Sequence, residues 1–155
     1  MNRAISLDMA TIVTGVSRRT LWRRLDDGKI SRQANDERGR AMLTLDDIAP
    51  MLCIPIEMED YALLIGADKG DADAQNDLAH VFLKFDRADI ALHWFQLAAE
   101  QQHADAMHNI ATLYVKGLGV DKDESQVMMW LSKAAAHGHI IAKAQLATWM
   151  GVKRS

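Results

Sequence analysis

Apolar residues recur at three- and four-residue intervals from residue 57 to residue 150, and the recurrence breaks at regular points. The spacing predicts helices over 57–69, 72–84, 87–101, 104–116, 123–137 and 140–150. The pattern then repeats itself. Ala98-Ala99-Glu100-Gln101-Gln102-His103-Ala104-Asp105-Ala106 lines up with Ala134-Ala135-Ala136-His137-Gly138-His139-Ile140-Ile141-Ala142 at an offset of 36, and Trp94 and Trp130 keep that offset. One unit earlier, Gly70-Asp71-Ala72-Asp73-Ala74 matches Gln102 to Ala106 at an offset of 32, which pairs Leu78 with Ile110 and Phe82 with Tyr114. The four-residue difference falls in the loop after Lys84. Two amphipathic helices per 32–36 residues predict a helical solenoid of half a repeat, two full repeats and a closing half.

The first 50 residues carry a different pattern. Leu7-Asp8-Met9-Ala10-Thr11-Ile12-Val13 reads as a short amphipathic helix and Gly15 as a turn. Ser17 is a good N-cap for a helix from Arg18 to Asp26, whose Leu21 and Leu25 lie four apart and point inward. Gly28 stands where a helix ends. Lys29 to Gln33 and Arg40 to Leu43 read as strands around Asn35-Asp36-Glu37-Arg38-Gly39, and a third helix opens at Thr44. Helix, turn, helix, hairpin wing, helix is a winged helix-turn-helix. The expected fold class is therefore mainly α: a winged helix-turn-helix head followed by a short α-solenoid of helix-turn-helix repeats. The two prolines, Pro50 and Pro55, place the boundary, giving a head over 1–50 and a solenoid over 56–155.

Two resemblances sharpen this reading. Ala106-x3-Ile110-Ala111-x2-Tyr114-x2-Gly117-x-Gly119-Val120-x2-Asp123, followed by Trp130-Leu131-x-Lys133-Ala134-Ala135-x2-Gly138, resembles the Sel-one-like repeat of the tetratricopeptide-like solenoids. The preceding repeat departs from it, with Phe85-Asp86-Arg87 in place of the glycine loop. That family implies protein–protein scaffolding. Gly15-Val16-Ser17-Arg18-Arg19-Thr20-Leu21-Trp22-Arg23-Arg24-Leu25, with Gly28-Lys29-Ile30 after it, is similar to the excisionase and MerR-like heads. In those heads the second helix enters the major groove and the wing touches the backbone. Carried onto this chain, the resemblance puts Arg18, Arg19, Trp22 and Arg23 against DNA, with Arg38 and Arg40 at the wing. The dimerisation helix of MerR-like proteins is absent after the wing.

Charge changes the picture in one respect. The whole chain is at −3, but residues 1–49 hold nine Lys/Arg against seven Asp/Glu, and residues 50–155 hold the other nine against fourteen. The head is thus mildly basic and the rest acidic, which suits a nucleic-acid-facing head. Asp26, Asp27, Asp36, Glu37, Asp46 and Asp47 oppose phosphate binding. Nothing approaches 18 consecutive apolar residues, so no membrane span is expected. Asp8 interrupts what a secretory signal would need, and the lone Cys53 suits a reducing compartment; both favour the cytoplasm.

Candidate chemistry is sparse. Six histidines invite a metal reading, but His103 and His139 hold equivalent repeat positions and more simply mark the repeat's turn. No nucleophile–base or paired-carboxylate set stands at usable spacing, so neither enzyme activity nor a cofactor or metal is expected. On the first helix of each pair, Asn76, His80 and Lys84, then His108, Thr112 and Lys116, are polar positions at helical spacing and are the expected protein-binding residues. An uncapped edge around Leu146, Trp149 and Met150 suggests a homodimer. The expected function is a DNA-binding regulator or adaptor, with the head on double-stranded DNA and the solenoid on a protein. The alternative is a pure protein scaffold whose head also grips protein.

Overall fold

A computed structural model describes residues 3–154. The chain divides into two compact units, Met1–Lys69 and Gly70–Ser155.

The first unit runs β1 (Ala4–Ser6), α1 (Leu7–Thr14), α2 (Arg18–Asp26), β2 (Arg32–Gln33), β3 (Met42–Thr44), α3 (Leu45–Ile48), two 3-10 turns (Ala49–Met51 and Met58–Asp60) and α4 (Tyr61–Asp68). The strands form an antiparallel sheet in the order β1-β3-β2. Capping explains both early helices. Ser6 Oγ accepts from Met9 N–H at the head of α1, and Ser17 Oγ accepts from Thr20 N–H at the head of α2. Gly15, at φ +71°, closes α1 in the left-handed conformation, so α2 starts after only three residues. Leu21 points back from α2 into a core with Ile5, Leu7, Met9, Val13, Leu43 and Leu45. The strand β1 was not anticipated: three residues are too few to show alternation. Thr44 belongs to β3 and occupies the cap position of α3 without a side-chain cap bond; its Oγ1 accepts from Gln33 Nε2 at 3.2 Å.

The boundary expected between Pro50 and Pro55 falls instead at Lys69. Asp68 is the reason. Its carboxylate accepts both the backbone N–H and the hydroxyl of Ser6, each at 2.6 Å, and Arg40 Nη1 at 2.9 Å. The Arg3 guanidinium lies over the Tyr61 ring at 5.2 Å, and Tyr61, Leu64 and Ala67 are buried. The helix expected as a leading half repeat thus closes the first unit, and it is shorter than 57–69.

The second unit holds α5 (Ala72–Lys84), α6 (Ala88–Glu100), α7 (Ala104–Lys116), α8 (Glu124–Ala136) and α9 (Ile140–Arg154). α5 pairs with α6 and α7 with α8. Buried alanines (Ala79, Ala91, Ala98, Ala106, Ala111, Ala134, Ala142) let the helices approach, and Phe82, Trp94, Phe95 and Ile110 fill the space between them. The expected four-residue difference is real: α5 and α6 are joined by Phe85 to Arg87, α7 and α8 by Gly117 to Asp123. Met129 is exposed, and Trp130 is half-buried under Lys133 Nζ at 4.6 Å. α9 continues past the expected end at Met150.

Candidate functional site

Four of the five helices of the second unit open on a side chain that caps them, α6 being the exception, and two of the caps are histidines. Asp71 caps α5; one repeat on, His103 Nδ1 accepts from Ala106 N–H at 3.2 Å, and in the next His139 Nδ1 accepts from Ala142 N–H at 3.0 Å. Nδ1 is therefore unprotonated in both rings and Nε2 carries the proton. That second nitrogen reaches back one repeat, to Asp73 from His103 at 2.8 Å and to Asp105 from His139 at 3.2 Å. These histidines mark the repeat's turn, as expected, and they also tie neighbouring repeats together. Burial lowers the pKa of His139, helped by the His108 ring and opposed by Asp105.

Of the six residues expected to bind protein, two serve the stacking itself. Asn76 is buried, and its Oδ1 accepts from Asn109 Nδ2 at 3.0 Å. His108 hydrogen-bonds Gln145 at 2.8 Å and stacks on His139 with ring centroids 4.3 Å apart. Both were expected to face a protein partner; the sequence showed polar residues at helical spacing and did not show that Asn109 and Gln145 would stand opposite them. His80 is exposed, yet its Nε2 accepts from Asn109 Nδ2 at 3.1 Å and its ring meets Phe95 edge-on at 5.2 Å. Lys84 and Lys116 are exposed at the ends of α5 and α7, and neither makes an ion pair among the described residues. Thr112 and Lys116 line an apolar groove between α7, α8 and α9 with a volume of about 750 Å³. The sequence reading missed the groove, whose other walls include Val115, Leu131 and Trp149.

On the first unit, Arg18, Arg19 and Arg23 stand on the exposed side of α2, opposite buried Leu21. Arg18 is ion-paired with Asp8. Arg19 and Arg23 make no ion pair among the described residues. Trp22 is half-buried, with the Arg32 guanidinium 5.4 Å over its ring. Arg32 was not foreseen; two-residue strands give no alternation from which its side could be read. Arg38 is exposed and donates to the Lys69 carbonyl at 3.2 Å. Arg40, expected at the backbone-contacting wing, turns inward. Its Nε donates to Asp36 at 2.8 Å and its Nη1 to Asp68. The backbone N–H and guanidinium of Arg40 hold the Asp36 carboxyl below its usual range. Burial works against the charge on Arg40, but Asp36 and Asp68 outweigh it and raise its pKa.

Self-association was expected around Leu146, Trp149 and Met150. Leu146 and Trp149 are half-buried, whereas Met150 is exposed together with Ile140 and Ile141. Among the described residues no three His, Cys, Asp or Glu side chains could hold a metal ion, and no helix is long and apolar enough to cross a membrane.

The register of caps, glycines and alanines defines a class, the α-helical repeat proteins. Residues 72–103 and 104–139 each match the Sel1 repeat. A solved Sel1 repeat protein from Oxalobacter formigenes is similar at 31% identity with a TM-score of 0.55, covering 60% of this chain and 73% of that one. No curated protein matches the chain. The chain belongs to the Sel1 repeat family, whose members generally mediate protein–protein interaction.

Proposed function

We propose that the chain is a non-catalytic cytoplasmic adaptor that brings a protein held by the repeat unit to double-stranded DNA held by the first unit. The Sel1 repeats support the protein-binding half of this reading. The exposed lysines at the ends of α5 and α7 mark the face. Immobilised full-length chain should retain a partner that the Lys84→Glu, Lys116→Glu variant releases. Equal retention by both would move the site elsewhere.

The DNA-binding half rests on one observation: Arg19 and Arg23, which make no ion pair among the described residues, flank Trp22 on the exposed side of a helix entered by a three-residue turn. That arrangement, with the winged helix-turn-helix resemblance, suits α2 to a major groove. With few cations engaged, affinity should fall in the weak non-specific range of about 10⁻⁴–10⁻⁶ M and decline steeply with salt. Fluorescence anisotropy with duplex DNA at low salt tests it. Absence of binding by folded full-length chain would favour the scaffold reading. The ion pairs that occupy Arg18 and Arg40 give that alternative its specific support. Ile140, Ile141 and Met150 are an edge on which two copies could also pair, which sedimentation at high micromolar concentration reads.

A further inference from the structure

The two layers of the repeat unit share one register but not one filling. In the first layer Asn76 on α5 accepts from Asn109 on α7; in the second, His108 and Gln145 occupy the equivalent places and again hydrogen-bond. One turn further along, the likeness ends. His80 and Phe95 meet edge-on in the first layer, and Asn109 holds the imidazole there. Their counterparts, at offsets of 32 and 36, are Thr112 and Leu131. Thr112 turns its hydroxyl onto its own helix, donating to the His108 carbonyl at 3.2 Å. Two rings have been replaced by two smaller side chains, and both of these line the groove of about 750 Å³. Its volume lies within the range of small-molecule and side-chain pockets, and its walls are predominantly apolar. Val115 is 52% exposed on its lip.

Charge selects the occupant. Lys116 stands at the mouth, exposed and without an ion-pair partner among the described residues. Glu124, the acid on the opposite wall, already has an interaction of its own. Among the described residues the lip is left with one cation that has no ion-pair partner, beside an apolar cavity.

We propose that this groove is the anchor pocket for an aromatic side chain of a partner peptide, with a neighbouring carboxylate of that peptide on Lys116. The ring refills the volume that Phe95 and His80 fill in the preceding layer. A buried aromatic anchor with a charge at the rim is how a short segment obtains most of its binding from few residues.

This inference rests on the reading of the repeat unit as a protein-binding module, and its test shares only Lys116 with the capture experiment above. The full chain, labelled with ¹⁵N, is titrated separately with acetyl-Phe-Glu-amide, acetyl-Phe-Gln-amide and acetyl-Ala-Glu-amide. The first should give saturable shifts at Val115, Leu131 and the Trp149 indole. Replacing Phe by Ala should weaken binding by about tenfold or more, and replacing Glu by Gln should weaken it by a few-fold. Thr112→His with Leu131→Phe, which restores the filling of the first layer, should abolish the shifts. Should that variant not fold, Lys116→Gln on its own should erase the preference for Glu over Gln. Shifts that do not saturate, that are equal for the Ala peptide, or that survive the refilling overturn the pocket. If Lys84→Glu, Lys116→Glu still releases a captured partner while these peptides fail, the module reading stands and the pocket alone is lost.

Discussion

Arg40 Nη1 donates to Asp68 Oδ1 at 2.9 Å, across 28 residues of chain, and that pair helps tie α4 to the loop between β2 and β3. The Asp68 side chain is 5% exposed and accepts two further hydrogen bonds from Ser6. Removing the carboxylate takes one of two acid partners from the Arg40 guanidinium, which keeps Asp36, and leaves the Ser6 backbone N–H without its acceptor. Asp68→Ala should cost about 1–3 kcal/mol, the range for leaving a buried donor unsatisfied. Chemical denaturation of full-length chain measures it. A loss below about 1 kcal/mol would show that α4 is not held by this residue.

The same pair makes Arg40→Ala a stability variant. It should lower the melting temperature and leave the salt dependence of any DNA binding unchanged. Arg19→Ala should do the reverse, with the slope of log K against log salt falling by about one.

His139 makes the repeat unit sensitive to acid. Its folded-state pKa lies below the ordinary 6.5, because burial and the stacked His108 disfavour the imidazolium. As pH falls through about 6.5 the unfolded chain takes up the proton first, so stability is full above that value and declines below it until the folded-state pKa is passed. The geometry agrees: a proton on Nδ1 removes the acceptor that caps α9 at Ala142 N–H, while Asp105 on α7 only partly offsets the charge. Caps of this kind contribute on the order of 1 kcal/mol. Melting temperatures at pH 8 and pH 5.5 should diverge in the native chain, and the gap should narrow in His139→Asn, since asparagine caps without titrating. An unchanged gap would assign the acid response to another group.

The repeat unit was legible because its physics is periodic. Each helix of that unit starts and stops where a cap or a positive-φ residue recurs: Gly70, Gln102 and Gly138 hold the same left-handed turn position, at φ of 96°, 65° and 91°. α2 was equally plain, bounded by Ser17 and Gly28. What the sequence hid was pairwise. Nothing near Asn76 announces Asn109, and nothing near Arg40 announces Asp68, so Asn76 read as a protein-binding position and Arg40 as a wing contact to DNA. The groove was invisible for a related reason: Thr112 and Leu131 are unremarkable alone and open a space only by comparison with His80 and Phe95 one layer away.

Gly117 and Gly119 look alike in sequence, and the structure separates them. A Cβ on Gly119, at φ +70°, would lie 2.8 Å from the Ala88 carbonyl carbon at the start of α6. Backbone cannot move aside there. A Cβ on Gly117, at φ +66°, would meet only the flexible Lys122 side chain, at 3.0 Å. Gly117→Ala should cost about 1 kcal/mol for the left-handed conformation alone, and Gly119→Ala should cost roughly 1–3 kcal/mol more. Equal losses in urea denaturation would mean that the loop does not press on α6.

The last prediction concerns the polar pair that joins α5 to α7. Both hydrogens of the Asn109 amide are used, one on Asn76 Oδ1 and one on His80 Nε2. Asn76 is 8% exposed, so Asn109→Ala leaves its side-chain carbonyl without a donor and with little access to water. The expected loss is about 1–3 kcal/mol, the cost of an unsatisfied buried polar group rather than of the hydrogen bond itself. Asn76→Ala should cost a similar amount for the mirror reason. The two losses should not add: once both partners are gone no orphan remains, and Asn76→Ala with Asn109→Ala should be less destabilising than the sum by about 1 kcal/mol or more. A double-mutant cycle read by urea denaturation decides it. Strict additivity would show that the two asparagines are independent surface residues and that the repeats are held together by their apolar layers alone.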